Sequence, residues 1–215
     1  MASKIIVDQL EKTGGTLTAL TLPSVNATAG QYMQNDGSGG LSWVAAPTDT
    51  TGFTQASQWR LGVDLSVGTS DQYFYQNFEK PAASEFPGSI GSDMAINATT
   101  SATLSGAWTF PVTGTWYVEF FYSQLGVGSH STTYNTKLWF TNDNGSSWVK
   151  VTESTESGHH DSWGRGSTSY IFNINDKTTD KVRVSGSCSG TTVTVGGDGD
   201  ANKTGWTFFR IGDAS

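Results

Sequence analysis

The sequence predicts an all-β protein, a sandwich or barrel with Greek-key or jelly-roll connections preceded by a short extended and hairpin-forming N-terminal segment, and three observations carry that reading. The composition is turn-rich and sparsely charged, with 26 Gly, 14% charged and 12% aromatic residues, the profile of a β-rich globular protein. From Gln58 onward, runs of aromatic and β-branched residues recur at turn-punctuated intervals. No segment sustains an apolar period of 3.6 residues, so no helix is expected.

Taken in order, Lys4 to Leu10 is a short mixed run, and "KTGGTLTALTLP" intersperses leucines with threonines, which suits extended chain. Pro23 ends it, and "SVNATAG" is a small-residue connector. In "GQYMQNDGSGGLSW" (Gly30 to Trp43), Asn35 to Gly40 supplies residues that tolerate positive φ between two strand-like flanks, which predicts a tight hairpin. Val44 to Ser57 has little charge and no periodicity, and reads as a linker. Ten strands are expected beyond it: Trp59–Leu65, Tyr73–Phe78, Ala102–Phe110, Gly114–Leu125, Thr133–Thr141, Trp148–Glu153, Ser167–Asn173, Lys181–Ser187, Thr191–Gly196 and Gly205–Ile211. In "KVRVSG", Val182 and Val184 share one face while Lys181 and Arg183 share the other, the pattern of a half-buried strand. The expected organisation is therefore an N-terminal attachment and oligomerisation segment at 1–46, a linker at 47–57 and a head domain at 58–215.

Charge and composition exclude several functions. A net charge of -7 with only 12 basic residues gives no cationic surface for a phosphate backbone, so no nucleic-acid partner is expected. Cys188 is the single cysteine, which forbids an intrachain disulfide and fits a buried thiol. No stretch approaches the roughly 20 apolar residues of a membrane span, so no membrane insertion is expected, and the apolar run in "MASKIIVDQLEK" is too short for a signal sequence. Catalysis is not expected either. Glu119, Glu153, Glu156 and Asp161 form no diagnostic pair of carboxylates, and no nucleophile-elbow motif is present. Asp198, Asp200 and Asn202 have an alternate spacing used by calcium loops but lack the downstream glutamate of an EF-hand, which favours a plain polar turn, and no metal or cofactor is expected.

Binding chemistry concentrates in "ESTESGHHDSWGRGS" (Glu153 to Ser167), where His159, His160 and Asp161 accompany the aromatic plane of Trp163 and the planar cation of Arg165. Adjacent histidines diverge in extended chain, so shared ligation of one ion is awkward. An indole that stacks on a sugar face, with Arg and Asp engaging hydroxyls or acidic substituents, suits a bacterial surface glycan. The competing expectation is that Trp163 packs into the protein and the rest is a solvated loop.

Two resemblances extend this reading. "WTFPVTGTWYVEFFYSQL" (Trp108–Leu125), with Phe110, Pro111, Gly114, Tyr117 and the run Tyr122-Ser123-Gln124, resembles a segment of the tumour necrosis factor and complement-type globular-head superfamily. "NINDKTTDKVRV" and "GWTFFRIGD" resemble its C-terminal strands, with Thr179-Asp180 in place of a Gly-Asp and Arg210 where many members have glycine. The resemblance covers roughly Trp59 to Asp213 and implies a jelly-roll β-sandwich that forms a homotrimer, with Tyr122 and Phe208 at strand positions that face the three-fold axis. Residues 1 to 46 resemble the openings of bacteriophage tail-fibre and related appendage proteins, on "IIVDQLEKTGGTLTALTLPS" and "AGQYMQNDGSGGLSW". Together they imply a virion protein assembled in the host cytoplasm: a trimeric tail fibre or spike that attaches to other virion proteins through its leader and contacts a host surface glycan through its head. A capsid decoration or head-fibre protein and a free-standing lectin-like module are the alternatives.

Overall fold

The computed structural model describes residues 9–10, 20–38, 40–45, 53–81, 88–99, 103–127, 132–158, 163–190 and 192–215. The chain divides into two compact units, Met1–Thr51 and Gly52–Ser215.

In the first unit, β1 (Gln9–Leu10) pairs antiparallel with β2 (Leu20–Thr21), and β3 (Gln31–Asn35) pairs with β4 (Leu41–Ala45). The second pair is the hairpin expected around Asn35 to Gly40, and its turn is built by side chains. Asn35 Oδ1 accepts from the Gly37 N–H at 2.6 Å, while Asp36 Oδ1 accepts from the Ser38 and Gly40 N–H groups at 2.7 and 2.9 Å. Gly37 has φ +82°, a conformation in which an L side chain is strained. Most of the hairpin's side chains are exposed. Trp43 anchors it through a 2.7 Å bond from Nε1 to the Val25 carbonyl.

The second unit is all β among its described residues: β5 (Ala56–Leu61), β6 (Leu65–Val67), β7 (Gln72–Tyr73), β8 (Phe78–Glu79), β9 (Ser89–Ile90), β10 (Ala95–Ile96), β11 (Trp108–Thr109), β12 (Gly114–Val127), β13 (Thr132–Thr141), β14 (Val149–Gly158), β15 (Trp163–Ile174), β16 (Lys181–Cys188), β17 (Thr192–Val195) and β18 (Gly205–Gly212). One sheet runs β10-β11-β16-β13-β14, with β7 also on β16. The other runs β6-β17-β12-β18-β5-β8, with β15 on the second edge of β12 and β9 on β5. The long strand β12 organises the second sheet, since β15 follows it along nearly its whole length while β18 and β17 share its other edge.

Alternation along β12 sends Trp116, Val118, Phe120 and Tyr122 into the space between the sheets, all 1% exposed or less. Trp206 and Phe208 of β18, Phe172 and Ile174 of β15, Leu138 and Tyr134 of β13, and Val182 and Val184 of β16 meet them there. Trp108 lies at the centre, its ring 5.1–5.9 Å from those of Trp59, Phe78, Trp206 and Phe208. Burying a side chain of this size contributes roughly 1.5–3 kcal/mol.

Several boundaries differ from the sequence expectation. The body's first strand begins at Ala56, inside the stretch read as linker. The expected strand at Tyr73–Phe78 is two short pieces, β7 and β8, separated at Asn77 with φ +64°. Of the expected strand ending at Phe110 only Trp108–Thr109 is extended, because Thr103 to Gly106 turns, with Gly106 at φ +69°. The strand β16 is buried on both faces, not one. Its Arg183 is 4% exposed, and the guanidinium carbon lies 3.7 Å from the Tyr73 ring centroid and 3.9 Å from that of Trp148. Planar guanidinium surfaces stack favourably between aromatic rings, which is how a cation fits under this sheet.

Candidate functional site

Most side chains that point inward from the second sheet are consumed by the core, so this sheet offers its outer face for contacts. Tyr122 and Phe208, expected at a three-fold axis, are 1% and 0% exposed. Tyr122 packs on Phe120 and Tyr134, and its hydroxyl bonds with Ser154 Oγ at 3.2 Å. Phe208 stacks on Trp206 at 5.3 Å. Both rings are spent within one chain and have no surface left for a neighbouring copy, so the interface assignment is corrected: the even-numbered residues of this part of β12 face the core.

The outer face belongs to the intervening positions. On β12 these are Tyr117, Glu119, Phe121, Ser123 and Leu125, opposite Ile171, Ser169, Ser167, Arg165 and Trp163 of β15. Across the other edge Tyr117 opposes Phe209 and Glu119 opposes Thr207 of β18, which in turn oppose Ala56 and Gln58 of β5.

One end of this face is apolar. Ile171, Phe53 and Ile90 are 56, 55 and 50% exposed. Phe53 packs on Phe209 with ring centroids 5.2 Å apart, and Ile90 is registered against Ala56. Beside them a groove of about 220 Å³ is lined by Ala56, Gln58, Gly88, Ile90, Thr207 and Phe209. Large exposed apolar side chains gathered in one place mark contact surfaces more often than chance.

The middle of the face is polar, with Glu119, Thr207, Gln58 and Ser169, and Arg60 held by a 3.0 Å ion pair to Glu79. At the opposite end, eight residues along β15 and hence about 27 Å from Ile171, stands Trp163, 51% exposed. Arg165 is exposed on the same face. His159, His160 and Asp161, expected beside them, lie outside the described residues.

Other candidate groups are engaged structurally. The Asp198 carboxylate pairs with Lys203 Nζ at 2.8 Å and accepts from the Asp200 N–H, which holds its carboxyl below the ordinary range. Among the described residues no group of three or more His, Cys, Asp or Glu side chains is placed to hold a metal. Cys188 is 4% exposed, burial raises its thiol pKa, and Sγ donates to the Val67 carbonyl. Glu153 pairs with Lys150.

The outer face was readable in part from the sequence. In "TWYVEFFYSQ" both alternating sets carry aromatics, but Trp116, Val118, Phe120 and Tyr122 form the set without a charge, whereas Glu119 lies in the set with Tyr117 and Phe121. The charge marks the outward set.

No family model and no curated protein matches the sequence. The fold does match solved structures. Eiger TNF from S. frugiperda superposes with a TM-score of 0.55 at 12% identity, covering 74% of this chain and 94% of that one. Murine APRIL at pH 5.0 gives a TM-score of 0.46 at 8% identity, over 73% and 98%. The likeness to Eiger TNF, together with the two-sheet architecture, shows that the chain has a jelly-roll β-sandwich fold.

Proposed function

We propose that this protein is a structural component of a bacteriophage virion, a trimeric fibre or spike whose leader attaches to the particle and whose jelly-roll head contacts the host surface. The observation that carries the proposal is the apolar end of the outer face, where Phe53, Ile90 and Ile171 stand exposed around Phe209 and Tyr117. A monomer gains nothing from that arrangement, whereas a copy laid against it removes several large side chains from water at roughly 25 cal/mol per Å². The number three and the virion setting rest on the resemblances of the head and the leader. The exposed β3–β4 hairpin fits a leader that takes its order from other chains, because it buries little against itself.

Light scattering after size exclusion tests the assembly. The intact chain is expected to run at three times its 22.9 kDa mass. Ile171→Asp combined with Ile90→Asp, both at exposed positions, is expected to yield a folded monomer. A monomeric wild type, or a double variant that remains trimeric, overturns the reading.

A further inference from the structure

The polar end of the same face carries a second arrangement, which deepens the host-contact reading and rests on it for its biological setting. Trp163 leaves β15 opposite Leu125 of β12, yet its ring reaches past β12. Gly196, just after β17 on the far side of β12, donates its N–H to the Ser123 carbonyl at 2.8 Å. A Cβ on Gly196 would lie 2.7 Å from Trp163 Cζ3 and 3.0 Å from its Cη2. The indole thus lies across the strand with its benzo rim seated on a glycine, and Ser123 beneath it is 3% exposed although it points outward. Half of the Trp163 surface stays open.

Two charged groups flank the platform. Arg165 stands two residues along the strand, registered against Ser123. On the other side, the Gly197 N–H donates to Asp64 Oδ1 at 2.8 Å, which fixes an exposed carboxylate one residue from the glycine under the indole. A flat aromatic backed by a strand, between one anchored acceptor and one donor, is suited to a sugar. The C–H face of a pyranose packs on the indole, vicinal hydroxyls donate to the carboxylate, and the guanidinium donates to a ring or hydroxyl oxygen. The protein's net charge of -7 disfavours an acidic glycan.

We infer that Trp163, Arg165 and Asp64 form a binding site for a neutral hexopyranose, with Gly196 as the seat that holds the indole flat. Gly196 has no positive φ, so a side chain there is tolerated by the backbone and collides with the indole rim, its other neighbour within reach being the Ser123 carbonyl at 3.7 Å. Gly196→Val therefore tilts the platform while leaving the fold intact.

The test is an NMR titration of the full chain with methyl α- and β-glucopyranoside and galactopyranoside, up to about 0.1 M, in the range of single-sugar affinities near 1 mM or weaker. The Trp163 Nε1–H signal is identified by its loss in Trp163→Ala. At least one glycoside is expected to shift that signal saturably. Gly196→Val and, separately, Asp64→Asn and Arg165→Ala are expected to weaken binding by about tenfold or more, with circular dichroism, melting point and mass unchanged. If Gly196→Val unfolds, the two exposed single variants carry the same comparison. The inference fails if no glycoside moves the signal, if the variants bind as well as wild type, or if the signal responds to protein concentration instead, which would make a second copy the occupant. Because mass is measured on the same samples, loss of the trimer and loss of sugar binding are read separately.

Discussion

At Asp143 a single carboxylate organises the turn between β13 and β14. It accepts from Thr141 Oγ1 at 2.6 Å, Ser147 Oγ at 2.6 Å and the Ser147 N–H at 2.9 Å, while Asn144 and Gly145 take positive φ. Those bonds, the Ser147 hydroxyl first, hold its carboxyl down at about 2 from an ordinary 3.8. Its stabilising contribution is thus complete above the ordinary value and disappears as pH falls through about 2. Asp143→Asn is expected to lower the melting midpoint at pH 7, with the gap to wild type closing near pH 2, as paired thermal melts would show. Gln124 presents the opposite case. It is 0% exposed, and neither amide atom makes a hydrogen bond among the described residues. Replacing such a group with an apolar one of similar shape is often neutral or favourable. Gln124→Met is expected to gain about 1 kcal/mol, or ~2–4 °C in midpoint, measured by calorimetry; a fall in midpoint would reveal a polar partner for the amide.

Among the elements, the β3–β4 hairpin depends on its turn more than on its contacts. Asp36→Ala removes the acceptor for two backbone N–H groups and is expected to collapse the amide dispersion of residues 30–45 in a ¹H–¹⁵N spectrum while the signals of the body stay in place. This hairpin was legible in the sequence because turn chemistry is local: Asn, Asp and Gly act on their own backbone. The long strands β12, β13, β15, β16 and β18 were legible within one to four residues at each end for a similar reason, since each satisfies its alternation over many residues. The short pieces β9 and β10 were not, because two-residue strands at Ser89–Ile90 and Ala95–Ile96 exist only through their partners β5 and β11. Burial of Lys181 and Arg183 was equally hidden. A polar row reads as solvated until the Tyr73 and Trp148 rings close over Arg183.

For the whole molecule, the all-β class followed from composition and periodicity, and Trp163 and Arg165 stood out by residue type, whereas the assembly of the candidate site around them did not, because it depends on which strands become neighbours. Nothing local tells that Gly196 lies under Trp163 or that Asp64 stands beside Gly197. The same separation of scales governs truncation. All of the described core residues fall between Ala56 and Phe208, inside the unit Gly52–Ser215. A fragment beginning at Gly52 is expected to melt cooperatively and keep the trimer mass, yet fail to enter particles; normal incorporation would count against an attachment role for the leader. The pairing of β5 with β18 also sets the timing of folding. The body's first strand waits for a partner synthesised roughly 150 residues later, a long-range closure of the kind that slows β-proteins. A ribosome therefore carries the Thr115–Phe121 part of one β12 edge unpaired and Trp108 unsealed until Trp206 and Phe208 emerge from the exit tunnel. Nascent chains stalled before residue 205 should stay protease-sensitive and chaperone-bound, and the body should become resistant in one step once Gly205–Gly212 clears the ribosome.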